Sequence, residues 1–238
     1  MQTRSKSLSE LLSLYLVTDL SPAGAGSALA TVRAALDGGV TIVQLREKNA
    51  QLRQTLEEGR ALRALCREYG VPFLVNDRAD LALLLEADGV HVGQDDLPGL
   101  AARELLGPAA IVGVSAGTME EAEWAIAQGA DYLGVGPVYA TMTKGDAGEP
   151  IGTSLISQIR ARWPQLPLVG IGGIQSGNAS AVVSAGADGV AVVSAITKQS
   201  DPQNAARELR RNVDAARNAR GGNGEKKTIN PSNKINPP

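Results

Sequence analysis

Short apolar runs rich in Val, Ile and Leu alternate with longer helix-patterned segments along nearly the whole chain. No other feature restricts the fold as strongly. Four of the runs resemble one another: Gly39-Val40-Thr41-Ile42-Val43-Gln44, Asp88-Gly89-Val90-His91-Val92-Gly93, Asp131-Tyr132-Leu133-Gly134-Val135-Gly136 and Asp188-Gly189-Val190-Ala191-Val192-Val193. The other four are Leu14–Thr18, Pro72–Asn76, Ala110–Ser115 and Leu166–Gly170. These read as nearly continuous Val/Ile/Leu strands, the pattern of a parallel strand buried on both faces. Helical segments at about 27–37, 51–69, 79–86, 98–106, 118–128, 152–162, 176–185 and 202–218 separate the runs. A period of about 25–30 residues is too long for hairpins and suits strand–helix crossovers.

Eight such units predict an α/β chain folded as a (βα)8 TIM barrel, with an open doubly wound sheet as the alternative. The recurrence of a two-unit pattern favours closure, because alternate strands of a barrel occupy equivalent layers. A length of 238 residues suits one such domain, since single α/β barrels run to about 200–250 residues. The catalytic domain is expected over 1–220. From 221 to 238 the sequence is mostly Gly, Asn, Lys and Pro, which cannot bury a core and predicts a disordered tail.

Composition removes several function classes. The formal net charge is −2 and aromatics make up 3% of the chain. Neither a broad positive field nor a stacking platform for nucleic acid is expected. No apolar run approaches the ~18–20 residues of a membrane span. The residues before Leu11 lack the pattern of a cleavable leader, so a cytoplasmic protein is expected. Cys66 is the only cysteine and shares an apolar periodicity with Leu62 and Leu65, which predicts a buried structural thiol. The oligomeric state stays open, a homo-oligomer included.

In a barrel of this kind chemistry sits at the C-terminal ends of the strands. After the second strand, period two puts Gln44, Arg46 and Lys48 on one side of an extended segment. Two cations and an amide converging there make an anion clamp; a salt-bridge cluster with Glu47 is the competing reading. Asn76-Asp77-Arg78 follows the third strand and Gly93-Gln94-Asp95-Asp96 the fourth. Carboxylates from neighbouring strands are hard ligands suited to Mg²⁺ on substrate phosphates. Equally, Asp77 and Asp96 could cap the next helices. His91, the only histidine, is expected to be a packed, hydrogen-bonded strand residue rather than a general base.

The fifth strand ends at Ser115, and the sixth leads into a long polar loop. Residues Thr141 to Pro150 of that loop are a candidate lid. Glycines after the seventh strand (Gly170, Gly172, Gly173) and the segment Val193-Ser194 after the eighth stand where phosphate-binding barrels hold phosphate. No Ser/His/Asp or Cys/His nucleophile and no P-loop is evident.

Six pieces, in order, closely resemble the thiamine-phosphate synthase family: Gln44-Leu45-Arg46-Glu47-Lys48, Asn76-Asp77-Arg78, His91-Val92-Gly93-Gln94-Asp95-Asp96, Gly113-Val114-Ser115, Thr141-Met142-Thr143-Lys144 and Gly170-Ile171-Gly172-Gly173-Ile174. The resemblance runs from about Tyr15 to Ile196. It implies that Gln44, Leu45, Arg46, Glu47, Lys48, Asn76, Ser115 and Lys144 bind a pyrimidine diphosphate, with Arg46, Lys48 and Lys144 catalytic. Asp77 and Asp96 would hold Mg²⁺, with Asp95 ranked below Asp96. Thr141, Met142, Thr143, Gly173, Val193 and Ser194 would hold a thiazole phosphate. The implied reaction joins the pyrimidine methylene to the thiazole nitrogen of a (carboxy)thiazole phosphate and releases pyrophosphate. A tautomerase-like isomerase and a non-catalytic phosphate-binding protein of the same fold are the alternatives. The intact diphosphate and metal motifs favour the synthase. The partners implied are small-molecule substrates, not nucleic acid or membrane.

Overall fold

All eight expected strands form and close on one another. A computed structural model describes residues 6–20, 27–141 and 148–225. The strands are β1 (Leu14–Thr18), β2 (Ile42–Leu45), β3 (Phe73–Asn76), β4 (Gly89–Val92), β5 (Ile111–Ala116), β6 (Tyr132–Val135), β7 (Leu168–Ile171) and β8 (Gly189–Val192). Every neighbouring pair is parallel, and β8 returns to β1, so the sheet is a closed barrel. The doubly wound alternative is thereby excluded.

Around the barrel lie α2 (Ala28–Asp37), α3 (Leu52–Glu68), α4 (Ala79–Leu84), α5 (Gly99–Leu106), α6 (Met119–Ala127), α7 (Ser154–Arg162), α8 (Ala179–Ser184) and α10 (Pro202–Glu225). Two short helices were not expected: α1 (Leu8–Leu11) and α9 (Ser194–Thr197). Ser7 and Glu10 close a reciprocal capping box on α1, which satisfies backbone donors that so short a helix would otherwise leave open. Leu8 and Leu12 then pack against the barrel interior. Helix α10 passes the expected end at 218 and the domain boundary drawn at 220. Once nucleated, a helix gains one hydrogen bond per added residue, so weak formers at its end are carried along. The rest of the expected tail, 226–238, lies outside the described residues.

Period-two alternation sorts each strand into two layers. Leu14, Leu16, Val43, Leu45, Val90, Val92, Val112 and Val114 face the helices in the larger core. Tyr15, Val17, Ile42, Leu74, Tyr132, Val169 and Ala191 fill the interior. Cys66 is buried in the outer layer, and burial pushes its thiol up to about 12. It is an inert core thiol, as expected.

The recurring aspartates have a physical role at the other end of the barrel. Each precedes an even-numbered strand and accepts a backbone N–H from the first two residues of the preceding strand. Phe73 N donates to Asp88 at 2.8 Å, Val112 N to Asp131 at 2.7 Å and Leu168 N to Asp188 at 2.9 Å. Each carboxylate is also paired with an arginine of the helix that leads into that preceding strand: Arg63 of α3, Arg103 of α5 and Arg160 of α7 respectively. In the fourth repeat Thr41 stands in for the aspartate, its Oγ1 accepting from Leu14 N at 2.9 Å. The repeat is therefore Thr41-Ile42-Val43-Gln44, two residues later than the Gly39 start read from the sequence. Gly39 mimics the pattern but belongs to the turn after α2, with φ +104°.

Candidate active site

The C-terminal ends of the strands surround a cavity of about 430 Å³. On one side Gln44, Arg46 and Lys48 line it, together with Asn76, Asp77, Asp96 and Ser115. On the other stand Thr141, Gly173, Val193 and Ser194. Thirteen of the residues singled out by sequence are described here, and these eleven meet around one space, leaving Leu45 and Glu47 aside.

Leu45 and Glu47 point elsewhere because period two sends them to the opposite side of the segment. Leu45 is 1% exposed and packs in the outer core. The Glu47 carboxylate accepts from Leu20 N at 3.0 Å, Asn49 N at 2.6 Å and Ala50 N at 2.8 Å. Burial alone would raise its pKa, but these backbone donors outweigh burial and hold it below the usual range. Its role is to brace the loop that carries Arg46 and Lys48. Among the described residues no ion pair joins Glu47 to either cation, so the salt-bridge reading of this cluster fails. Met142, Thr143 and Lys144 lie outside the described residues, as does most of the candidate lid.

Asp77 has φ +61°, one of two described residues other than glycine in the left-handed region. Arg78 N donates to Asn76 O at 2.6 Å, closing a three-residue turn around Asp77, and Asp77 N donates to His91 O at 2.8 Å. Aspartate tolerates this backbone better than most side chains, and such strain concentrates at functional sites. The turn places the Asp77 carboxyl in hydrogen-bond contact with Asp96. Burial first, then Asp96, push the Asp77 carboxyl up to about 6, while Lys48 and Arg46 pull the other way. Asp96 in turn accepts from Gly93 N at 2.8 Å. Neither aspartate caps a helix: the N-caps of α4 and α5 are Arg78 and Pro98, without side-chain cap bonds. The capping alternative therefore fails for both.

Two carboxylates forced together beside a cavity fit a hard divalent cation, which relieves their repulsion and supplies oxygen-rich coordination. Among the described residues no three of His, Cys, Asp and Glu form a metal cage. A cation held here would complete its shell with substrate oxygens and water, as Mg²⁺ commonly does.

On the opposite side Gly172 and Gly173 have φ +97° and +64°. Asn178 Nδ2 donates to Gly173 O at 3.1 Å and so fixes this turn. A Cβ at Gly173 would strike Tyr139 and Ala140. Both the positive φ and the close approach require glycine here.

Sequence reasoning missed Tyr15, which lines the cavity, and undervalued His91, which is hydrogen-bonded as expected but also lines the cavity. For Tyr15 the usable signal was period two: Tyr15 and Val17 share the interior face of β1.

Comparison with known proteins fits this arrangement. Residues 14–196 match the family model described as thiamine monophosphate synthase. The chain belongs to that family. A thiamine-phosphate synthase of Moorella thermoacetica is 53% identical over 204 residues, covering 86% of this chain and 97% of that protein. One of Chloroflexus aurantiacus is 52% identical over 197 residues, covering 83% and 90%. A solved thiamine phosphate pyrophosphorylase from Pyrococcus furiosus superposes with a TM-score of 0.79 at 42% identity, covering 88% of this chain and 99% of that one. The resemblance read from the six motifs is borne out. The chain is an enzyme of the thiamine-phosphate synthase type, a transferase of thiamine biosynthesis, rather than the isomerase or binding protein held as alternatives.

Proposed function

We propose that this synthase family member joins a pyrimidine diphosphate to a thiazole phosphate by a dissociative substitution that releases pyrophosphate. The observation that carries this reading is the meeting of Arg46, Lys48, Asp77 and Asp96 on one side of the cavity that Gly172, Gly173 and Ser194 line on the other. Two anionic substrates need two anion sites, and the cavity presents two differently built walls.

Arg46 and Lys48 bind the diphosphate and neutralise charge as it develops on the departing pyrophosphate, and Lys144, outside the described residues, is assigned the same role. Asp77 and Asp96 hold Mg²⁺, which when bound supplies Lewis-acid stabilisation to the leaving-group oxygens. Departure of pyrophosphate leaves a cation on the pyrimidine methylene, and the thiazole nitrogen captures it. No enzymic nucleophile is needed, so the remaining work is alignment of the two substrates. Gly173, Val193 and Ser194, with Thr141 and Thr143, hold the thiazole phosphate in line. Water would otherwise capture the cation, so the reaction also requires that water be kept out of the cavity.

Among the described residues no helix is long and apolar enough to cross a membrane. The test is pyrophosphate release from the two substrates, omitting each in turn, with Mg²⁺ or with EDTA. Release that requires both substrates and the metal, matched by thiamine phosphate, is expected. Release from the pyrimidine diphosphate alone, or without metal, would refute the scheme.

A further inference from the structure

Five polar side chains cross the barrel interior in one unbroken line. Gln44 Nε2 donates to Tyr15 Oη at 2.6 Å, and Tyr15 Oη lies 2.9 Å from Tyr132 Oη. Tyr132 Oη lies 2.9 Å from His91 Nδ1, and His91 Nε2 lies 3.0 Å from Ser115 Oγ. Both ends of the line, Gln44 and Ser115, line the cavity. Its middle is deeply buried, Tyr15 at 1% and Tyr132 at 0% exposure. The interior is shaped to hold it. A Cβ at Gly113 would run into the Tyr132 ring, and one at Gly134 would sit 2.8 Å from His91 Cε1.

Counting protons gives this line a direction. Burial raises both phenols far above their ordinary range, so each keeps its single proton. With Gln44 donating into the line, the Tyr15 proton must serve Tyr132 and the Tyr132 proton must serve His91 Nδ1. The single proton of a neutral imidazole then lies on Nε2 and serves Ser115 Oγ. The Ser115 hydroxyl proton is left to point at the cavity, and the Gln44 carbonyl oxygen is the amide end left over. Reversing any one bond would reverse them all.

We infer that Tyr15, Tyr132 and His91 form a one-way hydrogen-bond relay that presents Ser115 as a donor and Gln44 as an acceptor to the pyrimidine. Tyr132 is thus a positioning residue that acts through His91 and Ser115. An aminopyrimidine edge offers an amino donor beside a ring-nitrogen acceptor, which calls for one acceptor and one donor opposite it. A reversed line would present the amide NH₂ and a hydroxyl lone pair, the wrong polarity at both places. The identity of the ligand rests on the synthase reading; the tautomer of His91 does not.

His91 is the only histidine in the chain, so one pair of ring ¹⁵N resonances reports on the relay directly. The experiment uses the untagged full chain labelled at histidine, near neutral pH and without substrate. A proton on Nε2 with Nδ1 bare and accepting is expected. A proton on Nδ1, alone or together with one on Nε2, overturns the proposal whatever the activity. The variants Tyr132→Phe and Tyr15→Phe keep the rings and break the line. Each is expected to raise KM for the pyrimidine diphosphate about tenfold, the worth of roughly one well-placed hydrogen bond. KM for the thiazole phosphate should stay unchanged, which a general structural defect would not achieve. An unchanged pyrimidine KM in both variants, or equal rises for both substrates, also overturns the coupling. If wild-type protein releases no pyrophosphate, the synthase reading falls while the ring resonances still decide the relay.

Discussion

The carboxyl groups of Asp77 and Asp96, carried by loops after neighbouring strands, share a hydrogen bond at the rim of the cavity. Asp77 is the member whose pKa is pushed up to about 6, by burial first and then by Asp96. A carboxyl raised in the folded state favours folding below its unfolded pKa, and that contribution is lost as pH rises through the folded value. Metal-free protein should therefore lose stability from this group between about pH 4 and about pH 7. A bound divalent cation removes the repulsion, so the rise in Tm on adding Mg²⁺ should grow from about pH 5 to about pH 7. A Mg²⁺ effect that is flat across this range would show that the pair is not the metal site.

Asp77→Asn and Asp77→Ala separate chemistry from backbone. At φ +61° asparagine is tolerated, whereas alanine costs about 1 kcal/mol or more. Both variants should lose about a hundredfold or more in kcat, as several kcal/mol of lost charge stabilisation imply. Only Asp77→Ala should also show a clear fall in Tm. Wild-type turnover in Asp77→Asn at saturating Mg²⁺ would remove this residue from the mechanism.

The three Asp–Arg pairs at the far end of the barrel should differ in weight. The Asp188 side chain is 9% exposed, against 34% for Asp88 and 37% for Asp131. Arg220 also approaches Asp188 at 3.5 Å. Asp188→Ala leaves Arg160 without its partner and Leu168 N without its acceptor, so a loss of about 3–5 kcal/mol is expected. Asp88→Ala and Asp131→Ala should cost less, because water already reaches those two carboxylates and screens their pairs. Urea titration of the three variants orders them, and equal losses would mean that burial does not set the difference.

Gly113→Ala drives a methyl group into the Tyr132 ring. Overpacking of this kind costs about 1–3 kcal/mol. Gly177→Ala, where nothing lies within 4 Å, is the matched control and should leave Tm within about 1 °C of wild type, as a surface substitution does. Equal stability of the two variants would show that the interior yields around position 113.

Much of this was readable in the sequence because it depends on local periodicity. Eight strands, their order and their parallel sense follow from alternating apolar runs and crossover-length connections, which admit few topologies. The side on which Arg46 and Lys48 lie follows from period two, and the same period explains why Leu45 and Glu47 turn away. Family membership was legible from six motifs in register, each weak alone. Helices α1 and α9 were not legible, since four residues carry no periodicity.

What the sequence alone determined, then, is the barrel and the collection of residues at its strand ends, because both are properties of neighbouring residues. The tertiary structure decided which of those residues meet. Asp77 and Asp96 could have been helix caps until the turn at Asp77 put their carboxyls together. Tyr15 and Tyr132, separated by 117 positions, became one hydrogen-bonded line only when the barrel closed. Such contacts depend on distance in space, which a sequence carries only after the chain has folded.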